Sequence, residues 1–209
     1  MPLSIAVSII ASYLIGAIPT GYLAGRILKN IDIREHGSKN MGATNVMRTL
    51  GKGPGMVVLL IDILKGILPI LIFANAFDLH QPEVLVALGV CSVIGHNWTV
   101  FLGFKGGKGV ATTLGVLIGL SLEIPGIRPV LLLTIVVWMI LFLIFGYVSL
   151  ASIAAGVALP LLMVYFNEPF ALKIMSILLC VFVVFRHRSN ISRLTRGQEN
   201  SIKRTFFKK

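Results

Sequence analysis

The sequence predicts an all-α, polytopic integral membrane protein with seven transmembrane helices. Three observations carry that reading. Of 209 residues, 56% are hydrophobic and only 13% are charged, about half the charged share of a soluble domain. The mean hydropathy is +0.91. The apolar residues fall in long runs rather than alternating at every second position, which excludes a barrel. The composition also excludes disorder, a fibrous repeat and a solvated nucleic-acid-binding domain, so no nucleic-acid partner is expected. Cys91 and Cys180 sit in apolar runs and read as small buried hydrophobes.

A bilayer-crossing helix needs roughly 20 apolar residues. The long runs cover 3–23, 55–76, 84–101 and 148–166, and the shorter ones 109–122, 130–145 and 170–185. The run at 109–122 is expected to be short, tilted or re-entrant. Five crossings would keep the same parity but would leave two short runs outside the bilayer, so seven is preferred. Pro125-Gly126, Pro129 and Asn167-Glu168-Pro169 punctuate the runs, and Pro19 and Pro160 are expected to kink theirs. The first run lacks a basic leader and exceeds a signal peptide's apolar stretch, so it reads as a retained span. Residues 1–199 are expected to form one domain, followed by a basic tail at 200–209.

The charges set the orientation. Of the nineteen Lys and Arg, sixteen fall in 25–53, 104–109 and the segment from 186 onward. Seven spans place all sixteen on one side with the N-terminus outside and the C-terminus cytoplasmic. The other side keeps Arg128 and Lys173, together with Asp78, Glu83, Glu123 and Glu168.

Three constellations lie on the basic side. The first is Gly37-Ser38-Lys39-Asn40-Met41-Gly42-Ala43-Thr44-Asn45-Val46-Met47-Arg48, read as a polar, glycine-containing loop. Ser38, Asn40, Thr44 and Asn45 supply hydrogen bonds, Gly42 a close backbone approach, and Arg48 charge. The set suits a phosphate or carboxylate, and equally suits a basic loop touching anionic lipid headgroups. The second runs from Gly95-His96-Asn97 through Lys105-Gly106-Gly107-Lys108-Gly109. Lysines and glycines directly before an apolar run make an anion site at a helix start. The spacing is not that of a Walker A loop. The third joins Ser149, at the end of one span, to Arg186-His187-Arg188-Ser189-Asn190 after the last. His187 and Asn190 are three apart, so a helix puts them on one face. Basic residues after a span are commonly a stop-transfer cluster, which does not require His187 or Asn190.

Asp62 and Lys65 are charges inside the second run. At a spacing of three they can pair, and the expectation is an ion pair anchoring the span near the site. Only Asp32, Glu35 and Glu199 are acidic on the basic side. That balance suits anionic substrates at the membrane and argues against a two-carboxylate mechanism or a carboxylate-held metal. No Cys/His spacing suggests zinc. No metal and no cofactor are expected.

These motifs resemble the bacterial acyl-phosphate:glycerol-3-phosphate acyltransferase family. The resemblance is carried by 37–48, by DILKG at 62–66, by 95–112, by YVSLASI at 147–153 and by 186–199, across nearly the whole chain. It implies a seven-helix protein of the bacterial cytoplasmic membrane with its active site facing the cytoplasm. It implies transfer of a fatty acyl group from acyl phosphate to the 1-hydroxyl of glycerol 3-phosphate, giving lysophosphatidic acid and phosphate in phospholipid synthesis. It implies motif roles for Ser38, Arg48, Lys105, Lys108, Ser149, His187 and Asn190. Two departures stand out: Thr99 occupies a position where the family usually has proline, and Lys39 a variable one.

The residues suit that chemistry. Ser38, Arg48, Lys108, His187 and Asn190 are the candidate catalytic residues. Asn40, Gly42, Thr44, Asn45, His96, Lys105, Gly106, Gly107, Gly109, Ser149 and Arg186 are the candidate binding residues. No Ser-His-Asp set calls for an acyl-serine, so direct attack is expected. The proton acceptor is either His187 or the substrate phosphate, with the phosphate preferred. A CDP-alcohol phosphotransferase would need paired aspartates, and an acyl-CoA acyltransferase His-x4-Asp; neither pattern occurs. A transporter would often show an internal repeat, and none is apparent.

Overall fold

The computed structural model describes residues 2–201. From residue 202 onward, the basic tail expected at 200–209 lies outside the described residues. Among the described residues every regular element is helical, and the fold divides into two compact units, the first ending at Glu123 and the second starting at Ile124.

The first unit contains α1 (Pro2–Ala17), α2 (Thr20–Lys29), α3 (Ala43–Leu50), α4 (Lys52–Phe77), α5 (Pro82–Asn97) and α6 (Val110–Glu123). Short 3-10 turns at Ile33–Glu35 and Val100–Leu102 interrupt its connections. The apolar run at 3–23 is interrupted at Pro19, as expected of a proline there: α1 ends at Ala17 and α2 begins at Thr20, yet Pro2–Lys29 together still make one candidate span. Pro69 and Pro160, by contrast, sit inside continuous helices.

Small residues let these helices approach closely, as apolar interfaces in lipid require. A Cβ on Gly16 of α1 would fall on the Ser92 backbone of α5, and one on Gly66 of α4 on the α6 backbone at Thr112 and Val116. Residues 43–50, read above as part of a loop, form α3. Val46 is the reason. It packs with Ile33, Met41 and Val58 in one buried cluster, so this stretch gains apolar burial by coiling.

The second unit contains α7 (Arg128–Phe145), α8 (Val148–Tyr165), α9 (Phe170–Arg186) and α10 (Arg188–Thr195). Its core includes Ile127, Val130, Leu159, Met163, Leu172, Met175 and Leu179. On α7, Leu132, Met139, Ile140, Leu143 and Ile144 are exposed, a face that hydrocarbon solvates and water does not.

All seven apolar runs are helical. Among the described residues, five spans are long and apolar enough by length and composition to cross a membrane, or six if α9 and α10, bent by 59°, count as one. The α6 helix has 14 residues and falls short of that length.

Candidate active site

In the first unit, the turn before α3 is held by one side chain. Asn45 is 2% exposed. Its Nδ2 donates to Asn40 O at 2.7 Å, His36 O at 3.0 Å and Ile33 O at 3.1 Å. Its Oδ1 accepts the Ser38 N–H at 2.7 Å. The amide's two N–H groups are thereby shared among three carbonyls. Asn45 therefore builds the loop that carries Ser38 rather than offering donors to a ligand. Gly37 must be glycine here: its φ is +58°, and a Cβ would meet Asn45 Oδ1. Asn40 Oδ1 accepts the Gly42 N–H at 2.8 Å, just before α3 starts. Thr44 and Arg48, on the first and last turns of α3, are half-buried. Upstream, Arg34 grips Asp32 at 2.7 Å, and that hydrogen-bonded pair lowers the Asp32 pKa to about 2.

The second motif folds back on the end of α5. Gly107 N–H donates to His96 O at 2.9 Å and Gly106 N–H to Asn97 O at 3.2 Å. The amides expected to await an anion are thus engaged by the end of α5. A Cβ on Gly106 would strike His96 O and Asn97 O, and one on Gly107 the His96 ring, so this close pairing demands glycine at both positions. Gly109, at φ +75°, then turns the chain into α6, whose first internal bond runs from Thr113 N–H to Gly109 O at 2.7 Å. The N–H groups of Val110, Ala111 and Thr112 have no acceptor inside the helix. The anion-binding feature is therefore this helix start, with half-buried Lys108 beside it and Lys105 exposed. Thr99 has φ −70°, a value proline also takes, so its presence leaves the turn unchanged. Its hydroxyl donates to Ala17 O at 2.5 Å.

Leu102, from the second motif, packs on the cluster of Ile33, Met41, Val46 and Val58 that lies beneath the first. One apolar base thus supports both loops. An adjoining groove of about 380 Å³ is lined by Ile18, Pro19, Tyr22, Leu23, Phe101 and Leu102. Two buried residues not singled out from the sequence stand near the α6 start. The Asn97 amide and the Thr112 hydroxyl make no hydrogen bond among the described residues. The signal for Asn97 lay in its place between His96 and the glycines.

In the second unit, a carboxylate organises the third motif. Glu199 Oε1 accepts from Asn190 Nδ2 at 2.7 Å and from the Ser149 hydroxyl at 2.9 Å, while Oε2 accepts from Arg193 Nε at 2.8 Å. Burial pushes the Glu199 carboxyl up, but the bonds from Asn190, Ser149 and Arg193 together outweigh it and hold the pKa below the usual value. Ser149 and Asn190 are thus brought together by a residue the sequence reading left out, although it is one of only three acidic residues in the basic segments. His187 joins α9 to α10 and is 3% exposed. Its Nδ1 lies 2.8 Å from Val183 O. A carbonyl only accepts, so Nδ1 carries the hydrogen and the neutral ring's lone pair is on Nε2. Arg186, half-buried, closes α9. Among the described residues no three His, Cys, Asp or Glu side chains gather to hold a metal ion.

A sequence profile of the family described as glycerol-3-phosphate acyltransferase matches residues 6–197. The chain is 47% identical over 200 residues to the glycerol-3-phosphate acyltransferase of Geotalea daltonii, covering 95% of this chain and 97% of that one. It is 44% identical over 209 residues to that of Synechococcus elongatus, covering 97% and 96%. Two crystal structures of PlsY (YgiH), an integral membrane glycerol 3-phosphate acyltransferase, are similar to it over 95% of both chains. The glycerol 3-phosphate form superimposes with a TM-score of 0.86 at 42% identity, and the lysophosphatidic acid form with 0.82 at 41%.

Proposed function

The chain belongs to the glycerol-3-phosphate acyltransferase family of integral membrane enzymes, and from that premise we propose that its donor is acyl phosphate and its acceptor the 1-hydroxyl of glycerol 3-phosphate. The hydroxyl oxygen attacks the acyl carbonyl, the ester bond forms, the carbonyl–phosphate bond breaks, and the hydroxyl proton leaves with the phosphate. Lysophosphatidic acid and inorganic phosphate result, supplying phospholipid synthesis. The single observation that carries this reading is the first unit's pairing of two cationic features, the Ser38–Arg48 turn and the Lys108–α6 start, over one apolar base.

Both substrates are anions, and an acyl phosphate is already activated. The enzyme's task is to hold two negative charges together and stabilise charge as it develops on the carbonyl oxygen and leaving phosphate. Arg48 and Lys108 screen the phosphates, Ser38 donates to one of them, and Lys105 attracts anions from the surface. Asn40, Gly42, Thr44 and Asn45 shape the first loop; His96, Gly106, Gly107 and Gly109 shape the second. The apolar groove beside Phe101 suits the acyl chain. In the second unit, Ser149 and Arg186 are assigned to binding and Asn190 to catalysis. His187 orients substrate, with the substrate phosphate taking the proton. We read seven crossings of the bacterial cytoplasmic membrane, with the N-terminus outside and the site on the cytoplasmic face, because the basic residues gather on that side.

The test uses purified protein in detergent. Acyl phosphate with glycerol 3-phosphate should release phosphate and form lysophosphatidic acid without added metal, whereas acyl-CoA and acyl carrier protein donors should not react. Turnover with acyl-CoA alone would sink the donor assignment.

A further inference from the structure

Asp62 and Lys65 are 2% and 3% exposed on α4, with Lys65 Nζ 2.8 Å from Asp62 Oδ1. Their contacts reach beyond that helix. Lys65 Nζ also donates to Thr20 Oγ1 at 3.1 Å and to Ile18 O, and the Thr20 hydroxyl donates to Asp62 Oδ1 at 2.5 Å. Ile18 and Thr20 flank the break between α1 and α2. A helix is negative at its C-terminal end and positive at its start. The ammonium therefore stands at the end of α1, and the carboxylate, through Thr20, at the start of α2. This explains why a charged pair can plug a broken span.

It does not explain the third neighbour of Asp62. His96 Nδ1 lies 3.7 Å from Asp62 Oδ1, and His96 is 4% exposed. That distance is too long for a hydrogen bond but within charge reach of a buried ring. His96 ends α5, and its carbonyl accepts the Gly107 N–H at 2.9 Å. Its ring packs so closely on Gly107 that a Cβ there would fall on Nε2. Gly107 directly precedes Lys108. A continuous line thus runs from the buried carboxylate through the imidazole to the backbone that sets the position of Lys108.

We propose that Asp62 is a positioning residue for acyl transfer: it orients the His96 ring, and the ring fixes the glycine turn that places Lys108 at the α6 start. The proposal rests on the reading that Lys108 at the α6 start binds a substrate phosphate, and takes that phosphate to be the one on glycerol 3-phosphate. An anchoring pair alone would need only a matched pair of charges; a positioning carboxylate must also act through His96.

The experiment measures melting temperature, kcat and KM for both substrates in detergent. Asp62→Asn/Lys65→Met removes both charges and leaves no unpaired ion. It should melt close to the native protein, yet lose about tenfold in kcat/KM for glycerol 3-phosphate, with the acyl phosphate KM unchanged. In a His96→Gln background, the same double change should cause no further loss. Unchanged kcat/KM, or a loss that adds in full to that of His96→Gln, overturns the proposal. If the double variant fails to fold, Asp62→Glu replaces it. That variant keeps the charge and can still pair with Lys65 while shifting the carboxylate relative to His96, and the same loss and the same non-additivity are expected. Gly107→Ala separates the two readings. If it leaves the glycerol 3-phosphate KM unchanged, the binding role of the turn fails, and this proposal with it. If it raises that KM while the Asp62 variants do not, only the Asp62 proposal fails.

Discussion

Asn45 in the first unit and Glu199 in the second do the same mechanical job with opposite chemistry. Asn45 is a neutral amide that donates to three main-chain carbonyls and accepts one main-chain N–H. Glu199 is a carboxylate that accepts from three side chains, one of them the guanidinium of Arg193. The neutral brace leaves the positive charge of its surroundings intact for anionic substrates. The charged brace neutralises part of the charge around it and ties its own strength to pH. The first unit's brace therefore adds no charge of its own to the field that anionic substrates meet there.

The largest test of that contrast is Lys108→Ala. As a cation beside a helix start, Lys108 should stabilise transition-state charge, and its loss should lower kcat by about 100-fold to 1,000-fold. A folded variant with near-native kcat would take that role away from Lys108. Next come the braces themselves. Asn45→Asp puts an acceptor where three carbonyls need a donor and should destabilise by about 3 kcal/mol, more than Asn45→Ala, as judged by thermal unfolding in detergent.

Glu199 should differ in being titratable. Its folded pKa is lowered, so the unfolded chain binds the proton more readily, and stability falls as pH falls. The contribution is complete above the ordinary carboxyl value and is lost as pH drops through the lower folded one. Melting temperature should decline over that acid range in the native protein and decline less in Glu199→Gln. Equal slopes would remove the distinction between the braces. Asp32, with a pKa of about 2, should hold its Arg34 pair down to about that pH. The smallest effect is expected for Lys105→Ala. An exposed lysine attracts anions in general, so the glycerol 3-phosphate KM should rise by about threefold with kcat nearly unchanged.

Local composition was enough to locate the apolar runs, the breaks between them and the clustering of basic residues, because hydropathy and charge are sums over neighbouring side chains. The pairing of Asp62 with Lys65 was also legible, since three positions along a helix bring two side chains onto one face. Likewise, the cation-rich glycine motifs pointed to anion chemistry from residue types alone. Other features depended on contacts between segments distant in sequence. The Gly106 and Gly107 amides looked available until the chain was seen to double back onto the end of α5. Asn45 read as a ligand donor until its partners proved to be carbonyls up to twelve residues away. Glu199 lies 50 residues from Ser149, and no periodicity links them. His96 and Asp62 sit on different helices. Sequence spacing specifies what one helix presents on its own face; which distant atom receives each hydrogen bond is decided only when helices pack and most buried polar groups find partners.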